Sequence, residues 1–175
     1  MRKITYILLL ALSYTLIGCN NSPEQSIESS QLTPDSAAVI VEEAVDTTLQ
    51  PKVELILRAS GETPDKMKFD QDTLFVTPDA LIKLTLINES TNLNSVHNFV
   101  LTTEGLYKEV AVAGAKIGAT GNYIPESEHV LAYTPIARPG QTITTEFKAP
   151  PPGTYDFVCT YPDHLHTMHG KLIVK

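Results

Sequence analysis

Short stretches in which apolar and polar residues alternate follow one another from residue 52 to residue 175. The clearest stretch is residues 80–88, where the apolar side chains of Ile82, Leu84 and Leu86 share one face. Alternation with a period of two is typical of a β-strand that buries one of its faces. The same signal predicts seven further strands, at residues 53–57, 73–77, 97–102, 130–133, 141–147, 154–159 and 170–174.

Proline and glycine separate these stretches, most clearly at residues 138–140 (Arg-Pro-Gly) and 150–153 (Pro-Pro-Pro-Gly). Seven or eight short strands with turns between them predict an all-β protein, specifically an antiparallel β-sandwich. Residues 106–116 are the one plausible helix, and they interrupt the strands as an excursion. The stretch 52–175 is long enough to bury a hydrophobic core of its own.

Residues 1–18 differ from the rest, with early basic residues, an apolar run and small residues before Cys19. This pattern predicts a secretory signal peptide, since the run is too short for a spanning helix. Its end, Leu-Ile-Gly-Cys, resembles a bacterial lipobox, in which the cysteine is acylated and becomes the first mature residue. An ordinary signal peptide with a chance cysteine is the alternative. Lipid on Cys19 would hold the exported chain at a bacterial membrane, with its domain in the periplasm or on the cell surface.

Residues 20–50 are rich in Ser, Pro, Gln, Asn and acidic residues and contain no aromatic residue. Such a composition predicts a flexible tether. Whether it gives the domain reach towards a partner or is a mere spacer stays open. The predicted organisation is therefore a signal peptide (1–18), a lipidated cysteine with its tether (19–51) and a folded domain (52–175).

The charge balance argues against one class of partner. The chain has 13 basic and 20 acidic residues, a net charge of −7, and removal of residues 1–18 with Arg2 and Lys3 gives 11 − 20 = −9. Nucleic-acid binding requires basic patches against phosphate. We therefore expect no nucleic-acid partner.

Cysteine use points to a specific site. The chain has two cysteines, and if Cys19 carries lipid, Cys159 has no partner for a disulfide. A single thiol in an exported protein needs a reason, such as a metal. Cys159 falls on the same face of its predicted strand as Tyr155 and Phe157, which predicts a shielded position beside a loop.

The loop after this strand concentrates metal-binding side chains. Residues 159–170 read Cys-x4-His-x3-Met-x-Gly and so place Cys159, His164 and Met168 within ten residues. Thiolate and thioether suit Cu(I), and imidazole suits both copper oxidation states. Two His and one Cys with a weak Met contact form the arrangement used for electron transfer. Outside the loop lie His97 and His129, of which His97 starts a strand and can reach the same end of the sandwich.

The two motifs together, His-Asn-Phe-Val at residues 97–100 and the loop, resemble the azurin-like blue-copper proteins of the cupredoxin family. Residues 65–69 (Asp-Lys-Met-Lys-Phe) also resemble the family's Asp-x-Met-x-Phe, and the resemblance covers residues 53–175. It implies a Greek-key cupredoxin sandwich binding one type 1 copper ion. The ligands it implies are His97, Cys159 and His164, with Met168 as the axial ligand.

The resemblance also implies roles for two neighbours of His97. The Val96 carbonyl would be a weak ligand opposite Met168, and Asn98 would fix the two ligand segments and tune the thiolate. Three departures from the family bear on the reduction potential and the docking surface. The family's disulfide is absent, the chain has no tryptophan, and Asp163 stands where glycine is usual.

The function implied by the resemblance is single-electron transfer between redox proteins, such as cytochromes, a terminal oxidase, a reductase or a peroxidase. The ring of His164 would emerge through an apolar patch, for which Met67, Tyr161 and Leu165 are candidates. Such docking is expected to be weak and small in area.

The alternative functions are a copper carrier and an enzyme. A copper carrier that delivers the metal to another protein would use His166 and His169, and whether these or His129 bind extra metal stays open, although surface positions are expected. An enzyme is not predicted, because five histidines do not supply further copper sites and one loop cysteine does not build a binuclear centre.

Overall fold

Nine β-strands and one α-helix make up the part of the chain that the structure, a computed structural model, describes, namely residues 50–175. The predicted signal peptide, Cys19 and almost all of the predicted tether lie outside these residues. In chain order the elements are β1 Lys52–Ser60, β2 Lys68–Phe69, β3 Thr73–Val76, β4 Leu81–Asn88, β5 Val100–Thr103, α1 Tyr107–Ile117, β6 Val130–Tyr133, β7 Thr142–Lys148, β8 Gly153–Val158 and β9 His169–Val174. Short 3-10 helices span Ala119–Gly121 and His164–His166.

The strands form two sheets that pack face to face as a β-sandwich. The first sheet has the order β2-β1-β4-β7, and the second has the order β3-β9-β8-β5-β6. All eight predicted strands are present, and the two-residue β2 is an addition that no alternation of side chains could signal. The predicted β-sandwich is therefore confirmed.

The expectation of purely antiparallel pairing is wrong for two pairs. β1 pairs with β4 and β3 pairs with β9 in parallel, because in each case the chain crosses the sandwich before it returns. The predicted strand 97–102 also begins later, at Val100. His97 instead forms an isolated antiparallel bridge with Ala137, in which the two residues exchange backbone hydrogen bonds of 3.1 and 2.7 Å.

The core lies between the sheets and is built by the inward residues of the alternating strands. Ile82, Leu84 and Leu86 of β4 are fully buried, as their shared face predicts. At the centre, the ring of Phe157 on β8 contacts those of Phe69 and Phe99, with centroid distances of 5.6 and 5.5 Å. Aromatic pairs at such distances add to the free energy gained by burial. This core fixes the strands whose ends carry the candidate ligands.

The helix α1 lies almost where the sequence predicts it, at Tyr107–Ile117 instead of 106–116. Its buried residues Val110 and Ala111 pack against Val100 and Val158 on the outer face of the second sheet. β8 is therefore buried on both faces, whereas the alternating pattern predicted only one buried face. Within residues 50–175, no helix has the length and apolar composition needed to cross a membrane.

Candidate metal centre

Three candidate ligands lie on the loop that joins β8 to β9. Its ends meet through the backbone, because the Cys159 N–H donates to the Met168 carbonyl at 2.9 Å. Inside the loop, the N–H groups of Thr167 and Met168 donate to the His164 carbonyl at 3.1 and 2.9 Å. Hydrogen bonds between near neighbours in the sequence thus fold the loop into a tight turn that holds Cys159, His164 and Met168 together.

The fourth candidate, His97, is held by residues far away in the sequence. Besides its bridge to Ala137, its segment depends on Asn88 at the end of β4. The Asn88 side-chain amide donates to the carbonyls of Ser95 and Ala137, at 2.7 and 3.0 Å, and is fully buried. These bonds join three separate stretches of chain at the end of the sandwich where the loop lies.

The ligand atoms converge. His97 Nδ1 lies 3.3 Å from His164 Nδ1, and the Cys159 sulfur lies 3.5 Å from His164 Nδ1. The three side chains offer donor atoms within 4.8 Å of one another. The centre is shielded from solvent, since Cys159, His97 and Met168 are 0% exposed and His164 is 2% exposed.

Burial decides the charge of these groups in the absence of metal. It lowers the pKa of His97 to about 3, with the neighbouring His164 as the second cause, and lowers that of His164 to about 4. It raises the pKa of the Cys159 thiol to about 11, although the nearby backbone N–H groups of Asn98 and Tyr161 oppose this rise. At neutral pH the imidazoles are therefore neutral, with nitrogen lone pairs available to a metal ion.

The donor set fits a single metal ion of the softer kind. Imidazole nitrogens bind zinc at about 2.0 Å, so two that share one such ion lie about 3–4 Å apart, as the two Nδ1 atoms do here. His97 Nε2 is buried without a hydrogen-bond partner, which leaves Nδ1 as the atom of this ring that faces other donors. Thiolate, thioether and imidazole together match copper better than a hard cation.

Asn98 links the two ligand segments. Its side-chain oxygen accepts from the Thr160 N–H at 2.9 Å, and its amide nitrogen donates to the Thr160 hydroxyl at 2.8 Å. Thr160 directly follows Cys159, whereas Asn98 directly follows His97. The pair therefore connects the neighbours of two ligands on separate elements.

The three candidate patch residues do not form one surface. Met67 is 5% exposed and belongs to the core between the sheets. Leu165 is half-buried beside the α1 cluster. The half-buried ring of Tyr161 lies 4.8 Å from the ring of His164. The ring of His164 was expected to emerge at the surface, but this residue is only 2% exposed and Tyr161 packs against its ring.

The remaining histidines lie outside the cluster of metal-binding groups found in the described part of the chain. His166 and His169 are exposed and His129 is half-buried. His169 Nδ1 lies 3.0 Å from the Leu165 carbonyl, and its ring stacks on Tyr107 at a centroid distance of 4.7 Å. Val96, whose carbonyl was the expected weak ligand, is half-buried beside His97.

Two features of the site were not predicted from the sequence. Asn88 could have been found from the sequence, because it is a polar residue that continues the buried face of β4 after Ile82, Leu84 and Leu86. The contact of Thr160 with the Tyr123 carbonyl, at 2.6 Å, had none, because a backbone oxygen is the same for every residue type.

Comparisons with known proteins agree with this geometry. A family model of copper-binding proteins, the plastocyanin/azurin family, matches residues 56–175. Auracyanin-A of Chloroflexus aurantiacus is 32% identical over 118 residues, which cover 66% of this chain and 72% of that protein. Azurin of Pseudomonas fluorescens biotype C is 30% identical over 125 residues, which cover 67% of this chain and 98% of azurin.

A solved structure gives the same result for the fold. That of auracyanin A, described as a "blue" copper protein from a green thermophilic photosynthetic bacterium, matches with a TM-score of 0.64 and 31% identity. The match covers 71% of this chain and 99% of auracyanin A. The nine-stranded sandwich with one short helix is thus a cupredoxin fold.

Proposed function

Because this chain belongs to the plastocyanin/azurin family of copper-binding proteins, we propose that it carries single electrons between redox proteins. The electrons would pass through one type 1 copper ion held by His97, Cys159, His164 and Met168. The observation that carries the proposal is the convergence of two imidazole Nδ1 atoms and one thiol sulfur, 3.3 and 3.5 Å apart, inside a shielded centre.

Bound copper supplies a one-electron couple between Cu(I) and Cu(II), and the mixed donor set serves both states. The protein contributes a fixed arrangement of these donors. The loop is closed by its own backbone bonds and the His97 segment is fixed by Asn88, so the protein's own hydrogen bonds hold the ligand atoms close together. A site that changes little between two states wastes little energy on rearrangement.

The neighbours of the ligands have roles of their own in this proposal. The Val96 carbonyl would lie opposite Met168 as a weak ligand. Asn98 would tune the potential, since its backbone N–H favours the thiolate form of Cys159 and its side chain links the ligand segments. Hydrogen bonds around the sulfur are a known means of tuning such centres.

Partners would be redox proteins, such as cytochromes, a terminal oxidase, a reductase or a peroxidase, that dock beside His164. Tyr161 and Leu165 would supply the apolar contact, whereas Met67 is too buried to add much surface. A carrier must release each partner quickly, so the docking area should be small.

We further propose that the chain is exported and that Cys19 carries lipid, which would hold the domain at a bacterial membrane in the periplasm or on the cell surface. The support is the leader pattern ending in Leu-Ile-Gly-Cys and the tether that follows. Labelled fatty acid should be incorporated into the full chain, and Cys19→Ser should abolish the labelling. Labelling that survives this substitution would rule out the site.

Copper reconstitution tests the main proposal. The mature chain with Cu(II) should show an intense thiolate-to-copper band in the visible range and one reversible one-electron wave in voltammetry. Cys159→Ser should remove the band, whereas Cys19→Ser, which removes the chain's other cysteine, should leave it intact. A colourless protein, or a band that survives Cys159→Ser, would contradict a type 1 site. Ready loss of Cu(I) to a competing chelator would favour the copper carrier instead.

A further inference from the structure

The excursion between β5 and β6 contains an unusual stretch of backbone. Asn122 and Tyr123 both have positive φ angles, 54° and 58°. This left-handed region is disfavoured for residues with a side chain, and two in succession need support from their surroundings. Such conformations concentrate at functional sites, where neighbouring contacts hold them.

The carbonyl groups of these two residues face the link between the ligand segments. The Tyr123 carbonyl accepts from the Thr160 hydroxyl at 2.6 Å. The Asn122 carbonyl accepts from the Asn98 side-chain amide at 3.2 Å. Asn98 and Thr160 also bond to each other, so the excursion adds a third stretch of chain to the pair beside His97 and Cys159.

Gly114 makes this approach possible. It lies in α1, is buried, and faces both Tyr123 and Thr160. A Cβ at this position would collide with the Tyr123 carbonyl oxygen and would lie 2.8 Å from the Thr160 Cβ. Glycine inside a helix is disfavoured relative to alanine, so a glycine here is explained by close packing and not by helix formation.

A second contact of Tyr123 leads towards His164. The ring of Tyr123 packs edge-on against that of Tyr161, at a centroid distance of 4.9 Å. Tyr161 in turn packs against the ring of His164 at 4.8 Å. Tyr123 thus touches the surroundings of two ligands, through its carbonyl and through its ring.

We propose that Gly114 is a positioning residue for the copper centre, because it lets α1 press the Tyr123 carbonyl onto Thr160 and so fixes the Asn98–Thr160 link. This inference rests on the proposed function. The link fixes Asn98, which directly follows His97 and whose backbone N–H favours the thiolate form of Cys159. Such donors favour the reduced state, which has the lower positive charge. Loosening the link therefore lowers the reduction potential.

The test compares Gly114→Ala with Ala113→Gly, a neighbouring change that lowers helix propensity without adding an atom beside Thr160. At a fixed applied potential, we expect Gly114→Ala to change the ratio of reduced to oxidised protein by about fivefold, the equivalent of one hydrogen bond. A tenfold change corresponds to about 59 mV for a one-electron couple. Ala113→Gly should leave the ratio unchanged. Equal potentials in all three proteins would overturn the inference.

A metal-free measurement separates this inference from the proposed function. The Thr160 amide donates to Asn98, so its hydrogen exchange should be faster in Gly114→Ala than in the wild type and in Ala113→Gly. A wild type without the visible band would refute the copper function, while this exchange rate would still decide the positioning role. Unchanged exchange in Gly114→Ala would refute the positioning role alone.

A second pair of variants keeps the test decisive if Gly114→Ala does not fold. Thr160→Val removes the hydroxyl that both donates to the Tyr123 carbonyl and accepts from the Asn98 side-chain amide, and Thr160→Ser keeps both contacts. We expect Thr160→Val to lower the potential and Thr160→Ser to restore it. Equal potentials in the two variants would show that the contact with Tyr123 has no effect on the centre.

Discussion

The loop of residues 159–168 and the segment of residues 95–99 meet at one metal centre, but they are held there in different ways. Bonds between near neighbours, such as Cys159 N–H to the Met168 carbonyl, fold the loop. The His97 segment instead depends on Asn88 and Ala137, which belong to distant parts of the chain. The loop is therefore encoded locally, whereas the position of His97 exists only once both sheets have formed.

This difference separates two kinds of vulnerability. A local turn reforms easily, because few residues must be ordered to close it. A buried polar residue that joins distant segments has no substitute, because each group it leaves unpaired is costly. Substitutions at the residues that support His97 should therefore lower the free energy of unfolding more than substitutions in the loop. Substitutions on the outer surface should lower it least.

The largest effect is expected at Asn88. Asn88→Ala leaves the Ser95 carbonyl without its donor and the buried Ser90 N–H without its acceptor, and it removes one of the two donors to the Ala137 carbonyl. We expect the free energy of unfolding of the metal-free protein to fall by about 3–5 kcal/mol in urea denaturation. Asn94→Ala, at an exposed position of the same stretch, is the control. Similar losses in both variants would contradict the special role of Asn88.

The second largest effect is expected at Gly170, which lies in β9 just after the loop. A Cβ at Gly170 would collide with Cζ of the buried Phe157 ring and would lie 2.5 Å from the Asp72 carbonyl oxygen. Gly170→Ala should therefore lower the free energy of unfolding by about 1–3 kcal/mol, as overpacking does. Phe157→Leu makes room, so the double variant should lose less than the sum of the two single losses. Simple additivity would argue against the collision.

The third effect concerns the charge of the loop, which a substitution of Asp163 can change while the fold of the loop stays the same. Its carboxylate precedes His164 and favours the more positive, oxidised state. Asp163→Asn, which tolerates the same left-handed backbone (φ 68°), should raise the potential by less than about 59 mV. The difference should shrink at high salt, because exposed charges are screened. A lower potential in voltammetry, or one independent of salt, would contradict this electrostatic explanation.

The smallest effect is expected on the outer face of the first sheet. Lys83 Nζ lies 3.2 Å from a Glu54 carboxylate oxygen, and both side chains are exposed. Lys83→Ala should change the free energy of unfolding by less than about 0.5 kcal/mol, as exposed ion pairs do. A loss in urea denaturation as large as that of Asn88→Ala would show that distant support is not concentrated at the buried amide.

Much of the fold could be read from the sequence, because alternation records which face of a strand is buried. Residues 80–88 and 130–133 were found almost to the residue, as β4 and β6. Alternation does not record which strand lies alongside, so the parallel pairs β1–β4 and β3–β9 were not foreseen. A two-residue strand such as β2 has no pattern at all.

The same limit applies to the site. The spacing of Cys159, His164 and Met168 predicted three ligands, and the Asn-Phe-Val after His97 predicted the fourth. The copper cofactor is confirmed, and the structure brings the donor atoms of His97, Cys159 and His164 within 4.8 Å of one another. Asn88, a polar residue on the buried face of β4, was the one signal for the support of His97, but its partners and that of Thr160 are backbone carbonyls of distant segments. Residue type carries no information about such atoms.

The direction of β1 has a consequence for how the molecule would stand on a surface. Its last residues lie beside Asn88, at the ligand end, whereas Pro51 accepts from the Leu81 N–H at the other end. Nine extended residues separate these ends by about 26 Å. If Cys19 carries lipid as proposed, the tether therefore joins the domain at the end that is remote from the copper. The electron-exchanging end is then free to meet partners that arrive from the aqueous side.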